Sequence, residues 1–407
     1  MLSMNGKEDI SKESDLFENY KIASKSSALW LQEHNLQNLL SALEPAMVVG
    51  GAVRNHLLGI QIGDIDIATE LTPEEVIKKA RENKFQVIPT GLQHGTVTCV
   101  KNGFSYEVTT LRVDVKSYGR YADVRFSKSW KEDAERRDLT INALYLDKNG
   151  NIFDFVNGLK DIKSRTIKFI GNPAQRIQED YLRILRFFRF SSFYGEQYDN
   201  LSFSECKKQI ENLIKISRER CTSELLKILS SNKFLETVKL IDEIRIWDYC
   251  DFPKPNLEIL NKLNISEKQK NRKTSEICRL SCFYGDFTKM KLSNKQYKNV
   301  ITLKDLVLEN KYNHIRWLHE STDELFWDGI ILKSNLNNFD FLEKWRKYPF
   351  PLSGKQIMDI TKINPGPKLG ELIENLKSFY YSQEEPSKDA LLEYLSKVYL
   401  AYKSWNI

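Results

Sequence analysis

Residues 46–66 constrain the fold of this 407-residue chain more than any other stretch. The apolar run Ala46–Val49 ends in Gly50-Gly51, Arg54 follows one turn later, and Asp64-Ile65-Asp66 comes ten residues beyond it. A short apolar run closed by two glycines reads as a buried strand turning sharply into a helix. The backbone N–H groups of such a turn, together with Arg54, can meet phosphate oxygens. Asp64 and Asp66 are two apart, so on a strand both carboxylates face one side and can reach the same cation. A lone D-x-D is common at solvated strand edges. Combined with the glycine turn and the arginine within 17 residues, it points to a nucleoside triphosphate and the magnesium that neutralises it.

The chain has room for two or more domains with a buried core, and at 41% hydrophobic and 29% charged it has the composition of a soluble protein. The net charge of +6 is compatible with a polyanionic partner without demanding one. Six cysteines (Cys99, Cys206, Cys221, Cys250, Cys278, Cys282) are scattered with no C-x-x-C pair, as expected of reduced thiols in a cytosolic protein. The acidic N-terminus (Glu8, Asp9, Glu13, Asp15) has no apolar core and does not read as a signal peptide, and no apolar run is long enough to span a bilayer. The expectation is a cytoplasmic protein with no membrane association and no obligate protein partner.

Helical spacing of Leu29, Leu31, Leu36, Leu39, Leu40 and Leu43 predicts a helix over Ser27–Leu43, after a polar and frayed start. A short helix, Val53–Leu58, should follow the glycine turn. Thr72-Pro73-Glu74-Glu75 has the form of a capping box with proline in the first turn, so a helix should run to about Asn83. Strands are expected at Phe85–Ile88, Thr96–Val100 and Tyr106–Thr110, the last two joined by the turn pair Asn102-Gly103. Arg112 to about Lys131 shows no periodicity and reads as a mobile functional loop, in which Arg112, Asp114, Gly119-Arg120 and Asp123 could form a lid. Ala143–Leu146 and Ile152–Phe155 form another hairpin around Asn149-Gly150, and after Pro173 the pattern is helical. The fold class is therefore α+β: a head on a mixed sheet followed by an elongated helical body.

Glu107 lies on the strand after the Asn-Gly hairpin and becomes a third carboxylate if that strand neighbours the one carrying Asp64 and Asp66; otherwise it is an outward-facing strand glutamate. In Arg136-Arg137-Asp138-Leu139-Thr140-Ile141-Asn142 the arginines suit phosphate, and Asp138 and Asn142 suit ribose hydroxyls. Asp180 and Arg183 are three apart, so on a helix they offer an acceptor beside donors, a match for the edge of a base. Arg186 and Arg189 continue that row but rotate away from it, which fits bracing or phosphate contact better than base reading.

Together these motifs resemble the class II tRNA nucleotidyltransferase and bacterial poly(A) polymerase family over roughly residues 47–229. The resemblance implies two magnesium ions ligated by Asp64 and Asp66, triphosphate contacts from Gly50, Gly51 and Arg54, and ribose recognition by Arg137, Asp138 and Asn142. It further implies that Asp180 and Arg183 select CTP or ATP, with Arg186 and Arg189 also at the nucleotide. Ser217-Arg218-Glu219-Arg220 with Glu224-Leu225 resembles the family's neck motif, which buttresses the selecting helix. Many members carry aspartate where this chain has Asn55, and proline is frequent where it has Tyr181. By this likeness the chain divides into an extension (1–44), a nucleotidyltransferase head (45–170), a helical neck (171–230) and a helical body and tail (231–407). Asn364-Pro365-Gly366-Pro367-Lys368-Leu369-Gly370 resembles a helix start common in the family's C-terminal domains.

The activity implied is template-independent addition of CCA to the tRNA 3′ end from CTP and ATP, with release of pyrophosphate. A length of 112–126 like that of full CCA-adding members favours addition of the final A. The competing expectations are a poly(A) polymerase, an enzyme adding only CC or only A, and an RNA-binding protein without catalysis. RNA would run along the helical half, where Lys268, Lys270, Arg272, Lys273, Lys291 and Lys295 are either phosphate contacts or a solvated face.

Overall fold

The computed structural model describes residues 22–118, 121–308, 322–333, 350–382 and 387–404. The expected frayed start and the Gly119-Arg120 part of the lid lie outside the described residues. The chain forms two compact units, residues 1–224 with 244–250, and residues 225–243 with 251–407.

Among the described residues the first unit carries twelve strands, and ten of them frame the site: β1 (Ser24–Lys25), β2 (Ala46–Val49), β3 (Ile65–Thr69), β4 (Gln86–Gly91), β5 (Thr96–Lys101), β6 (Phe104–Thr110), β7 (Arg112–Tyr118), β8 (Tyr121–Phe126), β9 (Leu144–Leu146) and β10 (Asn151–Asp154). Eight of them form one sheet in the order β1-β10-β9-β2-β3-β6-β5-β4, and β7 and β8 pair separately. Every neighbour in the large sheet is antiparallel except β3 and β6. The parallel pair exists because the chain leaves β3 through a helix, crosses to the far edge at β4 and returns through β5 to β6.

Nine helices are used below: α1 (His34–Ala42), α2 (Gly51–Leu57), α3 (Pro73–Glu82), α4 (Trp130–Glu135), α5 (Gly158–Lys163), α6 (Pro173–Glu179), α7 (Leu182–Tyr194), α8 (Asn200–Gln209) and α9 (Arg218–Ser230). The capping box at the start of α3 is present in both halves, Thr72 accepting from the Glu75 N–H and Glu75 from the Thr72 N–H. Asn102 and Gly103 both have positive φ, as their hairpin turn requires.

Three expectations need correction. The helix over Ser27–Leu43 is broken into a 3-10 turn, Leu29–Gln32, and α1, because the Glu33 carboxylate caps α1 through the Asn35 and Leu36 N–H groups. That carboxylate also accepts the Tyr106 hydroxyl at 2.7 Å, which anchors the break to β6. The stretch Arg112–Lys131 is not a loop: β7 and β8 form an antiparallel ribbon, and α4 follows. Asp180 is not on a helix. It lies in extended backbone (φ −155°, ψ 105°) between α6 and α7.

One apolar cluster fixes the sheet against α4: Met47, Val49, Ala68, Leu111, Trp130, Ala134, Ala143, Tyr145, Phe153 and Ile170. All six cysteines are buried and unbridged. The second unit is mostly helical, including Leu257–Gln269, Asn294–Leu308 and Pro367–Ser382, whose start at Pro367 fits the predicted helix start, with one short antiparallel pair, Lys254–Pro255 and Phe283–Tyr284. Lys268, Lys270, Arg272, Lys273, Lys291 and Lys295 are exposed on it.

Candidate active site

Strand pairing assembles the site. Asp66 on β3 stands opposite Glu107 on β6 and Val49 on β2; Val49 stands opposite Tyr145 on β9. Residues paired across strands point to the same face, so one row runs from Glu107 through Asp66 and Val49 to Tyr145. Asp64 precedes β3 by one residue, with its alternation matching that of Asp66. Burial pushes the Asp66 carboxyl up to about 6; Glu107 and Asp64 add to this and Arg137 opposes it. A carboxyl raised by burial and by two like charges is the environment a bound cation relieves. Among the described residues no three His, Cys, Asp or Glu side chains close into a metal cage. An ion there must complete its shell from water and substrate oxygens, and hard carboxylates used in that way suit magnesium.

Arg137 joins this row from the other side. Asp133 on α4, almost fully buried, holds Arg136 at 2.6 Å and Arg137 at 2.9 Å, and accepts the Tyr145 hydroxyl at 2.8 Å. Burial alone would raise the Asp133 carboxyl, but the two guanidinium groups and the hydroxyl outweigh it and hold it well below the usual range. Gly50 has φ 75° and ψ −120°, and a Cβ there would lie 3.6 Å from the Asn142 carbonyl oxygen and 3.8 Å from Arg137 Nη1. The turn after β2 therefore abuts both residues.

Arg54, on α2, donates to Asn142 Oδ1 at 2.5 Å, to Asn55 Oδ1 at 2.9 Å and 3.1 Å, and to the Tyr194 hydroxyl at 2.9 Å. Asn142 donates to Asp138 Oδ1 at 3.2 Å, and Arg186 grips Asp138 Oδ2 at 2.8 Å and 2.5 Å. Burial would raise the Asp138 carboxyl, yet Arg186, then Arg183 and Asn142, hold it well below its ordinary value. The proposed ribose group is thus tied to α7. Asp180 and Arg183, by contrast, are not paired side chain to side chain. Asp180 accepts Arg220 at 2.5 Å and the Leu182 N–H at 3.1 Å, while Arg183 uses Nη1 on Glu179 and on the Arg176 carbonyl at 2.8 Å. Arg189 pairs with Glu224 at 3.0 Å.

Residues 46–168 match the family model described as Poly A polymerase head domain, and residues 199–253 match one described as probable RNA and SrmB- binding site of polymerase A. The human protein named CCA tRNA nucleotidyltransferase 1, mitochondrial, is 33% identical over 380 residues, covering 86% of each chain. The CCA-adding enzyme of Ligilactobacillus salivarius is 32% identical over 391 residues, covering 89% of this chain and 95% of its own. The chain belongs to the CCA tRNA nucleotidyltransferase family. Its fold is also that of the Bacillus stearothermophilus CCA-adding enzyme crystallised with CTP, at TM-score 0.68 and 24% identity over 90% of this chain and 98% of that one.

Within this family member, α7 falls between the two matched regions. Sequence reasoning missed Asp133, Tyr145 and Tyr194. Asp133 was findable, since it precedes Arg136 and Arg137 by three and four residues, the helical ion-pair spacing. Tyr145 and Tyr194 carry no such local signal.

Proposed function

We propose that this chain adds C, C and A to the 3′ end of tRNA from CTP and ATP, with no nucleic-acid template, releasing pyrophosphate. The observation that carries the reading is the pairing of Asp66 with Glu107 beside the Gly50 turn, in one unit with Asp180 and Arg183 at the start of α7.

Asp64 and Asp66 would hold two magnesium ions, with Glu107 alongside. When bound, the ions neutralise the triphosphate and favour ionisation of the attacking 3′ hydroxyl. The N–H groups of Gly50 and Gly51, with Arg54 and Arg137, receive the phosphates. Asp138 and Asn142 receive the ribose. Asp180 and Arg183 receive the base: each Asp180 oxygen keeps a free lone pair, and the remaining guanidinium nitrogens of Arg183 bond to no described residue. Arg186 and Arg189 hold Asp138 and Glu224, so their part in nucleotide binding is to fix α7 in register.

The test is incorporation of labelled CTP and ATP, separately and together, into tRNA lacking its terminal residues. Sequential addition of C, C and A is expected, and absence of C incorporation defeats the reading. The head-domain description favours one alternative, poly(A) addition, which would appear as ATP-only extension of generic RNA ends. Among the described residues no helix is long and apolar enough to cross a membrane. We take the cytoplasm as the place of action, to be checked by fractionation because relatives include proteins named mitochondrial.

A further inference from the structure

Asp133 divides its two oxygens between neighbouring arginines. Oδ1 accepts from Arg136 Nε at 2.8 Å and Nη2 at 2.6 Å, and Oδ2 accepts from Arg137 Nε at 3.2 Å and Nη2 at 2.9 Å. The carboxylate thus takes one edge of the Arg137 fork. The remaining nitrogen, Nη1, is the one beside the Gly50 turn, where a Cβ would lie 3.8 Å from it. A planar guanidinium gripped through two of its nitrogens cannot swing, so the grip sets the direction of the third.

The carboxylate is itself set by Tyr145, whose hydroxyl donates to Oδ2, the oxygen that holds Arg137, at 2.8 Å. The Tyr145 ring is fully buried, with Trp130 and Phe155 edge-on at 5.4 Å and 5.7 Å and the Arg137 guanidinium carbon 5.5 Å from its centre. Tyr145 on β9 stands opposite Val49 on β2, which stands opposite Asp66 on β3. The sheet that carries Asp66 therefore also carries the hydroxyl that fixes the arginine. We propose that Tyr145 and Asp133 are positioning residues that hold Arg137 Nη1 at the Gly50 turn to receive the triphosphate, in fixed register with Asp66. The inference deepens the proposed function and rests on it for the identity of the anion.

The experiment titrates inorganic pyrophosphate with magnesium into the full chain by calorimetry, for wild type, Tyr145→Phe, Arg137→Met and the double variant. Tyr145→Phe keeps the ring and loses one hydrogen bond, and should weaken binding about threefold. Arg137→Met removes the fork and should weaken it about tenfold. Because Tyr145 acts through Arg137, the double variant should bind like Arg137→Met; a loss of about thirtyfold, the product of the two, overturns the proposal. In nucleotide incorporation, KM for CTP and for ATP should rise together in Tyr145→Phe, with a smaller change in kcat. Inhibition by cytidine, which carries no phosphate, should stay at the wild-type level. Wild-type pyrophosphate binding by Tyr145→Phe overturns the proposal. So does cytidine inhibition weakened as much as pyrophosphate binding, which would put Arg137 at the ribose. If Tyr145→Phe does not fold by circular dichroism, Asp133→Asn takes its place in the same cycle, with the same non-additivity expected. That coupling in a protein that incorporates no nucleotide would uphold the positioning role and sink the enzymatic reading instead.

Discussion

Replacing Asp66 with asparagine should stabilise the metal-free protein while abolishing nucleotide incorporation. Burial, then Glu107 and Asp64, push the Asp66 carboxyl from an ordinary 3.8 up to about 6. A raised folded-state value means that the native protein binds this proton more tightly than the unfolded chain. The stability so gained is fully present below about pH 4 and is lost as pH rises through about 6. That rise corresponds to about 3 kcal/mol. Asp66 is half-buried, and solvent screening reduces this to about 1–2 kcal/mol. Asparagine keeps the shape and cannot ionise, so it escapes the loss. For a unit of this size the variant should melt about 2–8 °C higher than wild type near neutral pH. Thermal melts in EDTA at about pH 7.5 and about pH 4.5 read the effect, which should shrink at the lower pH. Magnesium at a hundredfold excess over its Kd should stabilise wild type by about 2.7 kcal/mol and leave the variant unmoved. An Asp66→Asn protein that melts at or below wild type in EDTA near neutral pH refutes the carboxylate crowding on which the metal assignment depends.

Asp133→Asn removes the carboxylate that holds Arg136, Arg137 and the Tyr145 hydroxyl together, and should cost about 3–5 kcal/mol in urea unfolding near neutral pH. Because the Asp133 carboxyl is depressed in the folded state, wild type loses this advantage as pH falls below about 4, and the gap to the variant should narrow there. Arg220→Met frees Asp180 from its ion pair and should change the ratio of kcat/KM for CTP and ATP about tenfold; an unchanged ratio counts against a selecting role for Asp180. Gly50→Ala forces alanine into φ 75°, ψ −120° and should cost about 1–3 kcal/mol in thermal stability, with KM for both nucleotides raised.

Where the fold was legible, the signal was local. The capping box at Thr72, the Asn102-Gly103 turn and the run into Gly50-Gly51 are each complete within a few residues. The pairing of β7 with β8 was not legible, because these strands pair with each other and stand outside the large sheet, so they take no place in the pattern that located its strands. The break between α6 and α7 was hidden for a different reason. Glu179-Asp180-Tyr181-Leu182-Arg183 reads as helix, but Asp180 adopts extended backbone and caps the Leu182 N–H while Arg220 holds its other oxygen.

The sequence by itself determined the inventory of the site: paired aspartates after a glycine turn, an arginine with each phosphate-binding stretch, and an acidic–basic pair downstream. Those depend on residue chemistry and on spacing within one element. Only the tertiary structure decided who meets whom. Asp66 meets Glu107 through the parallel pairing of β3 with β6, and Arg54 meets Asn142 across 88 positions of chain and Tyr194 across 140. Tertiary structure also divided the acidic–basic pair, giving Asp180 to Arg220 and Arg183 to Glu179. Side chains choose partners by distance and burial, and both are set by how strands are ordered and helices packed rather than by neighbours along the chain.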